Sequence, residues 1–372
     1  MLISGSINTV MMKTMNEVKS VGQNHKNHTF IHPWFQTVLM FFGESTVMVM
    51  FAYLIVKERK NTRRKSLEKS ETIRLEYTGS QAHRKSEEYQ PLVEKPFKRK
   101  IFQPIIVIPA CCDLLGTSLG NIGLIYISAS VWQIMRGCTI IFTGLMSKFV
   151  LKKEIQPYKW LGILIACIGL AITGVTDIIK NNESGSSSKT IMGISFCIAG
   201  QFVAAMQFTL QEQFMEKRMI LPSQEVAFEG FFGFWISSLI LMPILYIIPG
   251  EVEGNHQENV IDALIQLKNS FTLILLVIVY MSSIAFYNSF GLLVTVELTA
   301  VHRTLIDACR TGVVWVAEVV LYYTISKTVG EELSVYSLLE FDGFIVLFIG
   351  TAIYNDVIQL TFSKKLSNYL GY

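Results

Sequence analysis

Long apolar runs separated by short polar breaks set the pattern of this chain. Ten runs stand out: Met1 to about Met15, Phe35–Val56, Phe102–Ile125, Val131–Leu151, Trp160–Ile178, Ile191–Phe214, Phe228–Ile248, Phe271–Val294, Ala300–Ile325 and Tyr336–Leu360. Most approach 20 residues, the length at which a helix rising 1.5 Å per residue crosses about 30 Å of hydrocarbon. The pattern predicts an all-α, polytopic helical membrane protein with about ten transmembrane helices. The first run is short, because Lys13 interrupts it early. The expectation is a truncated first helix, completed by residues absent from this sequence or entering the bilayer partway.

The runs repeat in order. Gly162-x6-Gly169-x-Ala171-Ile172 in the fifth matches Gly343-x6-Gly350-x-Ala352-Ile353 in the tenth. Arg136-Gly137 in the fourth answers Arg310-Thr311-Gly312 in the ninth, and Gly43-Glu44 in the second answers Glu229-Gly230 in the seventh. Asn8 precedes Lys13 by five residues, as Gln207 precedes Glu212. Five is an odd number of crossings, so a second copy enters the bilayer inverted. The predicted organisation is a first five-helix repeat over 1–178, a second over 190–362 and a tail over 363–372. Gly116-x3-Gly120 fits close helix packing.

Composition agrees: 51% of residues are hydrophobic and 16% charged, against about 25% charged in soluble domains. The net charge of +3 matters less than its distribution. Residues 57–100 hold fourteen Lys/Arg, and Lys152-Lys153, Lys217-Arg218 and Lys364-Lys365 fall on the same side of a ten-span arrangement. That side is assigned to the cytosol, with both termini. Residues 57–100 are expected to form a disordered basic loop. Their seven Glu argue against a nucleic-acid partner and leave attraction to anionic lipid. The loop includes Tyr89-Gln-Pro-Leu92, a pattern read by sorting machinery. The opposite side carries the glycosylation candidates Asn27 and Asn182. It also carries His25, His28, His32 and His256, expected to be ordinary exposed loop histidines. Six cysteines lie within apolar runs, with no metal-ligand spacing among Cys and His, so no metal and no cofactor is expected. Met1–Val10 lacks the basic start and cleavage site of a signal peptide.

Several segments resemble the drug/metabolite transporter superfamily in its five-plus-five form. They include Gly5-Ser6-Ile7-Asn8-Thr9, His32-Pro33 with Phe42-Gly43-Glu44, Cys112-Asp113, Ser128-Ala129-Ser130 with Gln133 and Arg136, and Gly350-Thr351-Ala352-Ile353-Tyr354-Asn355. Within it the chain is similar to the F-subfamily of solute carrier family 35 and to chloroquine-resistance-transporter-like proteins. The resemblance covers nearly the whole chain. It implies a carrier in an endomembrane, lysosomal/vacuolar or Golgi, with the solute site between the repeats. Its two branches imply nucleotide-sugar exchange or proton-linked export of amino acids, peptides or cationic compounds.

Ionisable groups at bilayer depth cost roughly 2.5–3.5 kcal/mol each, so they need partners, water or a use. Asp307 and Arg310 lie three apart and share a helix face, as do Gln133 and Arg136. Arg136 and Arg310, one from each half, form either an anion clamp or, with Asp307, an internal ion pair. Glu44, Asp113 and Glu229 are candidate proton carriers or internal salt-bridge partners. Asn8, Gln207 and Asn288 either bind solute or tie helices together. His302-Arg303, at the start of the ninth run, is expected to snorkel to the interface. Two deep arginines offset by several carboxylates are thin compensation for a nucleotide sugar. The leading expectation is therefore a secondary active transporter of a small polar solute, with protons as the coupling partner and a homodimer left open. A nucleotide-sugar antiporter and a non-transporting scaffold or receptor are the alternatives. Enzyme motifs are missing: no His-rich cluster, nucleophile elbow or Gly-rich phosphate loop occurs.

Overall fold

A computed structural model describes residues 1–23, 27–79, 101–127, 129–181, 187–250, 256–324, 333 and 335–358. His25, Tyr89–Leu92, Ser128, Asn182 and the tail lie outside these residues, and the side chain of Gln133 is likewise outside the description.

The described residues are overwhelmingly helical. Helix α1 spans Leu2–Glu17 and leads into a short antiparallel hairpin, β1 (Lys19–Val21) and β2 (Asn27–Thr29). Helices α2 (Pro33–Ser45), α3 (Val47–Gly79), α4 (Val107–Tyr126), α5 (Ala129–Phe149) and α6 (Pro157–Asn181) complete the first half. The second half holds α7 (Ser187–Arg218), α8 (Pro222–Ile236), α9 (Met242–Ile247), α10 (Val260–Asn269), α11 (Phe271–Glu297), α12 (Ala300–Thr324) and α13 (Val335–Tyr354). A π-helical turn, Ser237–Leu241, joins α8 to α9 just before Pro243. The missing N–H of that proline disrupts an ordinary α-helical ladder, and a π-turn absorbs the disruption.

Seven helical stretches are long and apolar enough to cross a membrane: 33–62, 104–124, 157–175, 191–218, 222–247, 271–297 and 336–354. Large apolar side chains such as Leu164, Leu275, Ile278, Leu338 and Phe341 face outward, as lipid-facing positions do. The chain is an integral, polytopic helical membrane protein. α1, α5 and α12 are not among those seven stretches. Of these, α1 has 16 residues, while α5 carries Arg136 and α12 carries Arg303, Asp307, Arg310 and Glu318.

Lys13 lies within α1, which continues to Glu17, and its ammonium lies 2.5 Å from Glu318 on α12. One expectation is corrected. The basic segment after Val56 is not loop from its start, because α3 runs unbroken to Gly79. Its Lys, Arg and Glu residues are strong helix formers, and opposite charges three and four apart in sequence favour a helix.

Helix contacts keep their pattern when the halves are exchanged. α4 packs on α7 as α11 packs on α1, and α5 packs on α7 as α12 packs on α1. The pairs α2–α8, α5–α12 and α6–α13 map onto themselves. In α6–α13 the repeated glycines meet. A Cβ on Gly162 would lie 2.9 Å from the Gly350 carbonyl oxygen, and one on Gly169 would lie 2.4 Å from the Leu347 nitrogen. Glycine is required there because backbone lies against backbone.

The two ends differ. At one, Lys153 pairs with Glu212 and Glu216, and Glu212 also accepts from the Ala300 N–H. At the other, the hairpin sits on α10: Ser20 Oγ donates to the Gln266 carbonyl and Asn269 Nδ2 to that of Val21. Exposed Asn27 lies on this hairpin end.

Candidate functional site

The α2–α8 crossing brings the segments of Glu44 and Glu229 together. A Cβ on Gly230 would lie 2.6 Å from Glu44 Cβ, and Gly43 lies against the Met281 backbone. Both Glu44 and Glu229 are buried. Glu229 accepts from Gln207 Nε2 and Gln211 Nε2, each at 2.8 Å. Glu44 Oε1 accepts from Asn288 Nδ2, while its Oε2 has no protein partner.

Arg303 joins these two carboxylate groups. Its Nη1 donates to Gln211 Oε1 at 2.7 Å and its Nη2 to Asn288 Oδ1 at 3.2 Å. The guanidinium stacks 4.3 Å from the Phe208 ring centre and lies over the bare backbone of Gly291. The expectation of an interfacial, snorkelling Arg303 is wrong: it is 2% exposed and sits at the centre of the network. The signal was present in the sequence. Arg303, Asp307 and Arg310 are spaced four and three apart, one stripe on one helix face.

A second cluster lies further along α12. Asp307 Oδ2 accepts from Arg136 Nη2 at 2.6 Å, and Oδ1 accepts from Tyr287 Oη at 2.5 Å and faces Arg310 Nε at 3.2 Å. Arg310 also stacks on Tyr287, and Gly5 leaves room for both against α1. Arg136 and Arg310 therefore do converge across the halves, but Asp307 sits between them. In this arrangement Asp307 pairs with both guanidiniums, the contacts expected of the ion-pair alternative. Replacing Asp307 with Asn is expected to cost about 1–3 kcal/mol, because two partly buried guanidiniums lose the carboxylate they share. Arg136→Ala, which leaves the Asp307–Arg310 pair, should cost less. Thermal unfolding of the two purified variants checks the order.

Between the clusters runs a cavity of about 240 Å³ bordered by Asp113, Asn121, Gln207, Tyr287, Asn288 and Arg303. A second, of about 100 Å³, is bordered by Arg136, Thr139, Asp307 and Thr311. Gln201, Ala204 and Phe208 belong to both. Asp113 accepts from Thr117 Oγ1 at 3.4 Å and is the acidic side chain on the larger cavity. Asn8 borders neither cavity. Its Nδ2 reaches Ser283 Oγ at 3.4 Å, the helix-tying role. Gln211 and Tyr287 were not anticipated as site residues.

No protein-family model matches the chain. Solute carrier family 35 member F6 of Rattus norvegicus is 35% identical over 362 residues, 96% of this chain and 87% of its own length. CMP-sialic acid transporter 4 of Arabidopsis thaliana is 23% identical over 127 residues, 34% of each chain. A solved crystal structure 12% identical superposes with a TM-score of 0.54 over 95% of this chain and 94% of its own, a likeness of fold alone. With its helical membrane fold and its polar interior between two halves, the chain belongs to solute carrier family 35, in the F-subfamily of the drug/metabolite transporters, and is a transporter rather than an enzyme.

Proposed function

We propose that the chain is a secondary active, proton-linked carrier of a small polar organic solute, working by alternating access between its two halves. The observation that carries this reading is the larger cavity, which places the Arg303 guanidinium and the Asp113 carboxylate on one wall set. A solute bearing both charges, such as an amino acid or short peptide, satisfies both at once. Two ion pairs fit the gating. Lys13–Glu318 bridges α1 and α12 toward the hairpin end, and Lys153–Glu212 lies at the opposite end. Opening one and closing the other exposes the cavity to each side in turn.

Charge counting supports proton linkage. Glu44, Asp113 and Glu229 surround one guanidinium, Arg303, so the charge of the cluster depends on the protons it holds. Glu229→Gln is expected to flatten the pH dependence of uptake into proteoliposomes. An unchanged profile removes Glu229 from proton coupling.

Nucleotide-sugar exchange is the second reading, favoured by the partial match to the Arabidopsis CMP-sialic acid transporter. Against it, Arg136 and Arg310 already face Asp307 and are not free to hold phosphates. A panel of amino acids, peptides and nucleotide sugars, offered to proteoliposomes under an imposed pH gradient, separates the two. Gradient-driven uptake of the zwitterions supports the first. Nucleotide-sugar counterflow without gradient dependence supports the second.

A further inference from the structure

The hairpin end holds two buried carboxylates with no lysine or arginine partner among the described residues. Glu258 is 0% exposed and Asp262 is 0% exposed. Glu258 is saturated: Oε2 accepts from the Trp34 and Phe35 N–H groups at the start of α2, and Oε1 accepts from the Asn259 N–H. Oε1 also takes His32 Nδ1 at 2.6 Å. Against a carboxylate, Nδ1 is the donor, so Nε2 of a neutral His32 presents a lone pair. That nitrogen lies 3.4 Å from Asp262 Oδ2, an acceptor facing an acceptor.

His28 Nε2 reaches the same Asp262 Oδ2, at 2.8 Å. The two imidazole nitrogens and the carboxylate oxygen all lie within 4.8 Å of one another. Asp262 is oriented by its other oxygen, which accepts from the Gln23 N–H at 2.6 Å, while its own N–H donates to Asn259 Oδ1. Gly22 makes this approach possible, since a Cβ there would fall 2.2 Å from Asp262 Oδ1. Gln266, wholly buried beside them, has an Oε1 without a protein partner. A half-turn of that amide directs the oxygen to His28 and Asp262, and which end of an amide is oxygen is set by its network.

We propose that His28, His32, Asp262 and Gln266 form a tetrahedral Zn²⁺ site that rivets the hairpin between α1 and α2 to α10. Ligand atoms about 2.0–2.1 Å from a tetrahedral Zn²⁺ lie about 3.4 Å apart, the observed His32–Asp262 spacing. Two imidazoles select a borderline ion over Mg²⁺ or Ca²⁺. Glu258 supplies the carboxylate behind a ligating histidine that fixes its tautomer. The divalent charge also balances the two buried carboxylates. The expectation of exposed loop histidines is corrected for two of them: His32 is buried and His28 half-buried. A zinc ion here would depart from the expectation of no metal. His256 is separate, bonded to the Tyr246 carbonyl and stacked on that ring.

The test uses the full chain, purified in detergent, stripped with chelator, equilibrated with zinc and desalted. About one zinc per chain is expected by mass spectrometry, with a rise in the thermal midpoint on zinc addition. His32→Ala and Asp262→Asn should weaken binding about 100-fold or more, and Glu258→Gln about 10- to 100-fold. His256→Ala should retain the ion. Independently of any variant, Co²⁺ substituted into the wild-type chain should give the intense visible absorption of a tetrahedral N/O site. Folded wild-type protein that retains no zinc, a weak octahedral cobalt spectrum, or undiminished zinc in His32→Ala each overturns the proposal.

Discussion

Uptake into proteoliposomes is expected to fall to background in the Arg303→Ala variant. Arg303 is the positive charge between Glu229's amide partners and Glu44's, and it borders the larger cavity. Removing one partner of a buried charge network costs about 3–5 kcal/mol, mostly through the charges left behind. Instability alone could therefore silence the variant, and a second substitution separates the causes. Arg303→Ala combined with Glu229→Gln removes one carboxylate along with the cation. It should recover thermal stability yet remain without uptake. Recovery of uptake in that double variant would show that Arg303 serves only charge balance. Lysine is not a substitute, because one ammonium cannot reach Gln211 Oε1 and Asn288 Oδ1 in a planar fork while stacking on Phe208. Arg303→Lys should stay near background, and Gly291→Ala, which crowds the guanidinium, should reduce uptake in a stable protein.

Gly169→Leu is expected to be the most damaging change to folding. At Gly169 the first atom of any side chain meets Leu347 N at 2.4 Å and the Gly343 carbonyl at 2.7 Å. Both obstacles are backbone, so no rotamer change relieves the overlap, and α6 must separate from α13. Overpacking of this kind costs about 3 kcal/mol or more. The readout is the yield of monodisperse protein and its thermal midpoint. Gly137→Ala is the matched control, since its nearest obstacle is the flexible Leu170 Cδ2 at 3.3 Å. A folded, stable Gly169→Leu variant would mean that the seam does not hold the halves together.

The membrane architecture was legible because hydropathy at a 20-residue period is enforced along each helix by the bilayer itself. The Gly-x6-Gly spacing was equally legible, since one helix repeats it against its counterpart. Pairing was harder. Arg136, Asp307 and Arg310 were all recognised, but whether two guanidiniums stand open or share a carboxylate depends on distances between α5 and α12. Arg303 was misplaced because position near the start of a hydrophobic run suggests an interface, whereas α12 begins inside the fold behind Glu212. The His28–Asp262 cluster was invisible because its members come from segments more than 200 residues apart, and no spacing rule spans that distance.

The α6–α13 seam carries one last consequence. Glycines of the same spacing line both sides of the contact, Gly162 facing Gly350 and Gly169 facing Gly343, while the charged residues of the two halves are not mirrored. Aligned on Arg136 and Arg310, Arg303 corresponds to Ala129 and Asp307 to Gln133. The contact pattern is near-twofold, yet its charges are lopsided, so a solute taken up between the halves as proposed would have only one way round to sit.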